Sequence, residues 1–185
     1  SRHSFDADGL VGERPFWGRF WESSILTSNQ KIYLDILRRQ IYDLLAKLRR
    51  DSRIYSLIHA DLHPANIVVE GQRLHVIDFD DSGFGWHYYD IAVALFNYHL
   101  EIPIEHLQTA VVSGYRKARS ISDEDLSYIP LFMLIRALAL IGWYSARPEV
   151  EAGATTLPQL ISYVRSKGVD VMAGHGLLIK PMPGI

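Results

Sequence analysis

The stretch LIHADLHPANIVV, residues 57–69, constrains this chain more than any other. An apolar, strand-like run breaks into His59, Asp61, His63 and Asn66, then resumes as Ile67-Val68-Val69. Four polar, ligand-capable side chains thus sit on one tight connection between two segments suited to burial. Three explanations compete: a metal site, a loop for phosphoryl transfer, or a loop whose polar groups are satisfied and do no chemistry.

Composition narrows the setting. The chain has 185 residues, 48% hydrophobic and 22% charged, which is the balance of a folded domain rather than a disordered segment. A net charge of −2 gives no electrostatic footprint for nucleic acid or an acidic membrane. The absence of cysteine excludes disulfides and thiolate metal sites. It suits a reducing compartment, and a cytoplasmic location is the expectation. The opening SRHSFDADG has no apolar h-region of a signal peptide. The most apolar stretch, residues 129–146, contains Arg136 and is short for a membrane span, so it reads as a buried core helix.

Periodicity outlines a mostly α chain with one small β-hairpin, an α+β class. Residues 1–28 read as an irregular segment, punctuated by Gly9, Gly12, Pro15 and Gly18. Its aromatics Phe16, Trp17, Phe20 and Trp21 are expected to lie against a core rather than form one. Leu37, Ile41, Leu44, Leu45 and Leu48 recur at helical spacing within 29–50, behind a cap at Ser28 or Asn29. Two β-type runs, 66–70 and 73–78, join through Gly71 as a hairpin. Helices are expected over 90–100, 104–119, 122–145 and 158–167, with Ser122 and Asp125 as a capping box and Pro158 in a first turn. The expected divisions are 1–28, a main lobe over 29–168, and an irregular tail over 169–185.

The spacing within the polar loop favours one of the three explanations. Phosphoryl transfer to a hydroxyl needs a carboxylate that orients the hydroxyl and accepts its proton, and an Asn and an Asp that hold Mg²⁺ on the ATP phosphates. A pattern of that kind is H-R-D-x-x-x-x-N followed by D-F-G. Here the chain offers His59-Ala60-Asp61-Leu62-His63-Pro64-Ala65-Asn66, then Ile77-Asp78-Phe79-Asp80. The hairpin between them folds the chain back so that Asn66 and Asp78 can face one metal.

HADLHPAN, VIDFDD and YYDIAVALF resemble the C-terminal lobe of the aminoglycoside phosphotransferase/choline kinase family, small-molecule kinases with a protein-kinase-like fold. The likeness is specific over about residues 54–100 and extends to homoserine-kinase-like and stress-response-kinase-like members. It implies a catalytic loop over 57–69 with Asp61 as base and His59 bracing it, and a metal-binding segment over 76–81. It also implies that Asn66 and Asp78 bind Mg²⁺, that Asp90 rigidifies the loop, and that ATP is the phosphoryl donor. His63, Asp81 and Trp86 fall on the possible substrate side, with Trp143 and Tyr144 as further aromatic candidates. Asp80 stands where a protein kinase has Gly, which argues against a protein-kinase activation switch.

Two rivals remain open on the sequence. His59, Asp61 and His63 alternate, so on a strand they would share a face and could hold Zn²⁺ or Mn²⁺ for hydrolysis. A kinase-like module kept for binding or regulation is the other. The resemblance also implies an N-terminal lobe with a Gly-rich loop and a strand Lys. No lysine precedes Lys31, and Gly9-x-x-Gly12 lacks the required form. The stretch therefore reads as a C-terminal lobe whose partners are that other lobe and a small hydroxylated substrate. An uncovered apolar face and a tendency to dimerise are expected, with residues 1–28 folding over that face or swapping into a neighbouring chain.

Overall fold

A computed structural model of the chain describes residues 2–98 and 104–173. In chain order the elements are β1 (Ser4–Phe5), α1 (Ala7–Val11), a 3-10 turn (Phe20–Glu22), α2 (Ser28–Lys47), β2 (Tyr55–Ile58), a 3-10 turn (Pro64–Asn66), β3 (Ile67–Glu70) and β4 (Arg73–Val76). They continue as β5 (Gly83–Trp86), α3 (His87–Phe96), α4 (Ile104–Ala118), α5 (Asp123–Leu126), α6 (Ile129–Ser145) and α7 (Gly153–Met172). Helices dominate and the sheets are small, so the α+β class stands. The chain divides otherwise than at residues 28 and 168. Among the described residues, 2–3 and 50–133 form one compact unit, and 4–49 with 134–173 form another.

The first unit carries the polar loop. β2 and β5 pair antiparallel with Tyr55 opposite Trp86 and Ile58 opposite Gly83. β3 and β4 form the expected hairpin, with Ile67 opposite Val76 and Glu70 opposite Arg73. The register leaves a two-residue loop, and Gly71 there has a φ of 60°, a region glycine enters without a Cβ penalty. Behind β5 lies an aromatic core. Trp86, Tyr88 and Phe132 are fully buried, with the Phe132 ring 5.7 Å from that of Trp86 and 5.6 Å from that of Tyr88. The Tyr88 hydroxyl donates to Asp125 Oδ1 at 2.7 Å, and Asp125 closes the capping box with Ser122 that the sequence announced. The single helix expected over 122–145 is interrupted at Ser127 and Tyr128, where α5 ends and α6 has not begun. α6 begins in this unit and continues into the second; as expected of a helix apolar all round, it is largely buried, Arg136 of the second unit included.

The second unit is built on α2. Its cap is Thr27, one residue earlier than expected, with Gln30 completing a capping box. Leu34, Leu37, Ile41 and Leu45 form the buried stripe. The N-terminal segment is not irregular throughout: α1 has Asp6 as cap, and Phe5, Leu10, Val11, Phe20 and Trp21 are buried. Of the four aromatics expected to lie against a core, Phe20 and Trp21 belong to it. Arg38 explains why. This residue is 4% exposed and donates to Asp35 and Glu13 at 2.7 Å, and its guanidinium lies 4.0 Å over the Trp21 ring. The paired Arg38 holds the Glu13 carboxyl below the usual carboxylate range. α7 begins five residues before Pro158 and runs past Gly168 to Met172, so the proline lies inside the helix rather than in its first turn. At Gly168 an added Cβ would stand 2.3 Å from the Tyr33 hydroxyl, which is why α2 and α7 can approach so closely there. The ends of the expected helix 90–100 and of the expected tail lie outside the described residues.

Candidate active site

The polar loop is held from three sides. β2 ends at Ile58, and the chain turns at Ala60, whose φ of 69° is rare for a residue with a Cβ. Asp90, in the first turn of α3, stabilises that turn. It accepts from the His59 amide at 2.9 Å with one oxygen and from the Ala60 amide at 2.7 Å with the other. Burial pushes the Asp90 carboxyl above its ordinary pKa, and the two amide hydrogen bonds work against that shift without cancelling it. The start of α3 is pinned as well, because His87 Nε2 lies 2.7 Å from Ser56 Oγ on β2. Burial pushes the His87 pKa down.

His59 is the second hold. Its Nε2 is 2.9 Å from the Ile77 carbonyl oxygen, and its Nδ1 accepts from the Asp61 amide at 3.3 Å. A carbonyl can only accept, so the ring proton sits on Nε2. The imidazole therefore ties the loop to the strand end just before Asp78. The Phe79 ring stacks obliquely on it at 4.8 Å.

The third hold is the turn Pro64–Asn66. His63 caps it, its Nδ1 accepting from the Ala65 amide at 3.2 Å, and Pro64 supplies a φ already suited to the turn. Asn66 is buried and turned inward, its Nδ2 donating to the Asp61 carbonyl at 3.0 Å and to Asp61 Oδ2 at 3.4 Å. His63 Nε2 lies 3.2 Å from the same Oδ2. Asp61 is thus partly exposed and oriented by two neighbours. Its side chain has 24% of its surface accessible, enough for contact with a ligand.

The hairpin brings in Asp78. The pairing of β3 with β4 continues one step further, with the Ile77 amide donating to the Asn66 carbonyl at 3.0 Å. Asp78 follows Ile77 immediately at a φ of 61°, so the chain swings sharply there. Hydrogen bonds thus bring His59, Asp61, His63, Asn66 and Asp90 together, with Asp78 one residue beyond the Ile77 backbone that both His59 and Asn66 contact. Asp81 is half-buried beyond this turn.

Two expectations are corrected. Trp86 has no exposed surface, its ring packing against Tyr55 at 5.2 Å and Phe132 at 5.7 Å, so it is core and offers no face to a substrate. His59, Asp61 and His63 do not form a metal cluster, and no group of three or more such ligands gathers among the described residues. Both ring nitrogens of His59 are already hydrogen-bonded within the loop. Trp143 and Tyr144 lie in the second unit, half-buried edge to face at 5.0 Å. Neither the positive-φ turn at Ala60 nor the Ser56–His87 pin carries a motif that a linear reading could find.

A family model described as the phosphotransferase enzyme family matches residues 2–121. Amicoumacin kinase of Bacillus subtilis is 29% identical over 107 residues, covering 53% of this chain and 32% of the kinase. A homoserine kinase of Sinorhizobium fredii is 39% identical over 88 residues, 45% of this chain and 26% of that protein. Among solved structures, a microcompartment-associated aminopropanol kinase superposes over 96% of this chain with a TM-score of 0.78 at 29% identity. An amicoumacin kinase complex shares the fold with a TM-score of 0.72 at 22% identity, over 90% of this chain. The chain spans 56% and 51% of those two solved chains, and about a third or less of the curated relatives. The family model covers well over half of the residues here, and the chain belongs to the phosphotransferase enzyme family.

Proposed function

We propose that this chain is the C-terminal catalytic lobe of an ATP- and Mg²⁺-dependent kinase that phosphorylates a hydroxyl of a small molecule, such as an aminoglycoside, an amino alcohol or a homoserine-like compound. The observation that carries the proposal is the Asp61 carboxylate, accessible yet held by His63 and Asn66, with the residue before Asp78 bonded through its amide to the Asn66 carbonyl. Related proteins named for amicoumacin, homoserine and aminopropanol support the reaction class.

The residues present fit a hard divalent cation. Asn66 donates both amide protons to Asp61, which leaves its Oδ1 as the donor for a metal, and Asp78 adds a carboxylate. Two oxygen ligands completed by substrate phosphates are what Mg²⁺ takes, whereas Zn²⁺ prefers nitrogen and sulfur ligands. When bound there, Mg²⁺ would neutralise charge on the phosphates. Asp61 accepts the proton as the acceptor O–H bond breaks and a new O–P bond forms, while the bond from the γ-phosphorus to the ADP oxygen breaks. His59 keeps the Asp61 loop in register with Asp78 through the Ile77 carbonyl.

The hairpin supports a second lobe. Neither of its faces is buried: Val68, Val69, Leu74 and Val76 are exposed, as are Ile77 and Phe79 beyond it. Alternation usually puts one strand face on a core, and an apolar patch of this kind is the surface another domain or a nucleotide would cover. Residues 4–28 pack into the core of their own unit, on α2. We take the cover to be an N-terminal kinase lobe. The isolated 185-residue chain should then bind ATP·Mg²⁺ with a Kd on the order of millimolar or weaker, and should tend to dimerise. Calorimetry finding micromolar binding would mean that this lobe alone holds the nucleotide.

The decisive test is an ATP-consumption screen of the full-length protein against amino alcohols, sugars and aminoglycosides. ADP formation should require an acceptor, stop with a chelator and return with Mg²⁺. A full-length protein that consumes no ATP with any acceptor of these classes would overturn the proposal. So would stoichiometric zinc lost on His63→Ala.

A further inference from the structure

We infer that His63 is a positioning residue for Asp61, aiming its carboxylate through the proton on Nε2. The inference rests on the reading of Asp61 as the base. The proton's place follows from the neighbours. The Ala65 amide can only donate, and it does so to His63 Nδ1 at 3.2 Å. A ring nitrogen that accepts carries no proton, so the proton of the neutral imidazole is on Nε2. Nε2 has two polar neighbours, Asp61 Oδ2 at 3.2 Å and Asn66 Nδ2 at 3.4 Å. The Asn66 nitrogen is itself a donor, and its two protons go to the Asp61 carbonyl at 3.0 Å and to Oδ2 at 3.4 Å. Only Oδ2 can accept from His63. Two donors on rigid supports thus converge on one carboxylate oxygen and set the rotation of the whole group.

A structural account covers only half of this ring. Capping the turn Pro64–Asn66 needs one acceptor, which Ser, Asn or Asp would supply with a shorter side chain. Those residues place an acceptor near the position of Nδ1 and nothing at the position of Nε2. The second nitrogen is the part of histidine that capping leaves unexplained, and it is the part that meets Asp61. An unaimed carboxylate would still ionise, but it would meet the acceptor hydroxyl in fewer productive geometries.

Two substitutions separate the roles. His63→Asn keeps the cap and loses the donor to Asp61, whereas His63→Gln can place an amide N–H where Nε2 was and weakens the cap. In the full-length enzyme His63→Asn should lower kcat roughly 10-fold or more with little change in KM, the scale of one hydrogen bond to a charged group. His63→Gln should recover most of that loss although its melting temperature is the lower of the two. Nitrogen-15 spectra of the full-length protein should show His63 with Nε2 protonated and Nδ1 bare. A His63→Asn enzyme at full turnover beside an inactive Asp61→Asn enzyme would overturn this inference alone. So would turnover that follows stability across both His63 variants, or the opposite tautomer. An Asp61→Asn enzyme that keeps its turnover would overturn the reading of the base and this inference with it.

Discussion

Asp61→Asn in the full-length enzyme is expected to lower turnover by roughly 10²–10⁴-fold, the usual contribution of a positioned general base. The amide has the shape of the carboxylate but cannot take a proton from an acceptor hydroxyl. The loop should survive the change. Two groups that address Asp61 Oδ2, His63 Nε2 and Asn66 Nδ2, are donors, and an amide oxygen placed there satisfies both. The Asp61 backbone contacts, its amide to His59 Nδ1 and its carbonyl to Asn66 Nδ2, do not involve the side chain at all. Stability should therefore move by no more than about 1 kcal/mol, the net worth of an ordinary hydrogen bond. Steady-state rates beside a thermal melt would check both halves. Turnover near that of the wild type, with an established acceptor, would remove Asp61 from its role.

How much of this site could be read in the sequence depended on how local its parts are. His59, Asp61, His63 and Asn66 fall within eight residues, and a hairpin whose turn is written in Gly71 returns the chain to Ile77, which contacts both His59 and Asn66. Local patterns of that kind survive in a linear reading. β5 did not, because Gly83-Phe84-Gly85-Trp86 has little strand character and exists by pairing with β2, more than twenty residues away. The misplacement of Trp86 follows from the same gap: without β5, nothing put that ring behind the sheet. Pro158 misled in the opposite direction. A proline is best tolerated in a first turn, yet α7 continues through it because packing along the helix outweighs one lost hydrogen bond. Arg38 shows a third limit. A basic residue among others on a helix reads as solvated, and only the chain from Val11 to Trp21 folding back on α2 makes it a buried hub. Asp90 was legible only through resemblance, since a lone acid near a helix start carries no message by itself.

Asp90→Asn tests that residue directly, and its effects should reach both stability and turnover. Each oxygen of Asp90 takes one amide, from His59 at 2.9 Å and from Ala60 at 2.7 Å. An asparagine has one acceptor and one NH₂ group, so one of these amides would face another donor. A backbone N–H left unpaired in such a buried place costs about 1–3 kcal/mol. The loss falls on a turn already under strain, because Ala60 holds a φ of 69° that costs a residue with a Cβ about 1–3 kcal/mol. Asp61 is the next residue, so relaxation at Ala60 displaces the base. A misplacement of about 1 Å is enough to lower turnover by about 10²-fold. The pH dependence carries a separate signature. Burial raises the Asp90 pKa above that of the unfolded chain, so the folded state binds this proton more tightly. The contribution to stability is therefore largest at low pH, falls as the pH rises from the ordinary carboxylate range through the raised value, and is level above it. Asp90→Asn should erase that falling segment while lowering stability at neutral pH. Denaturant unfolding across pH, on wild type and variant, would show both effects. A variant with unchanged midpoints and full turnover would mean that the two amide contacts do not hold the loop.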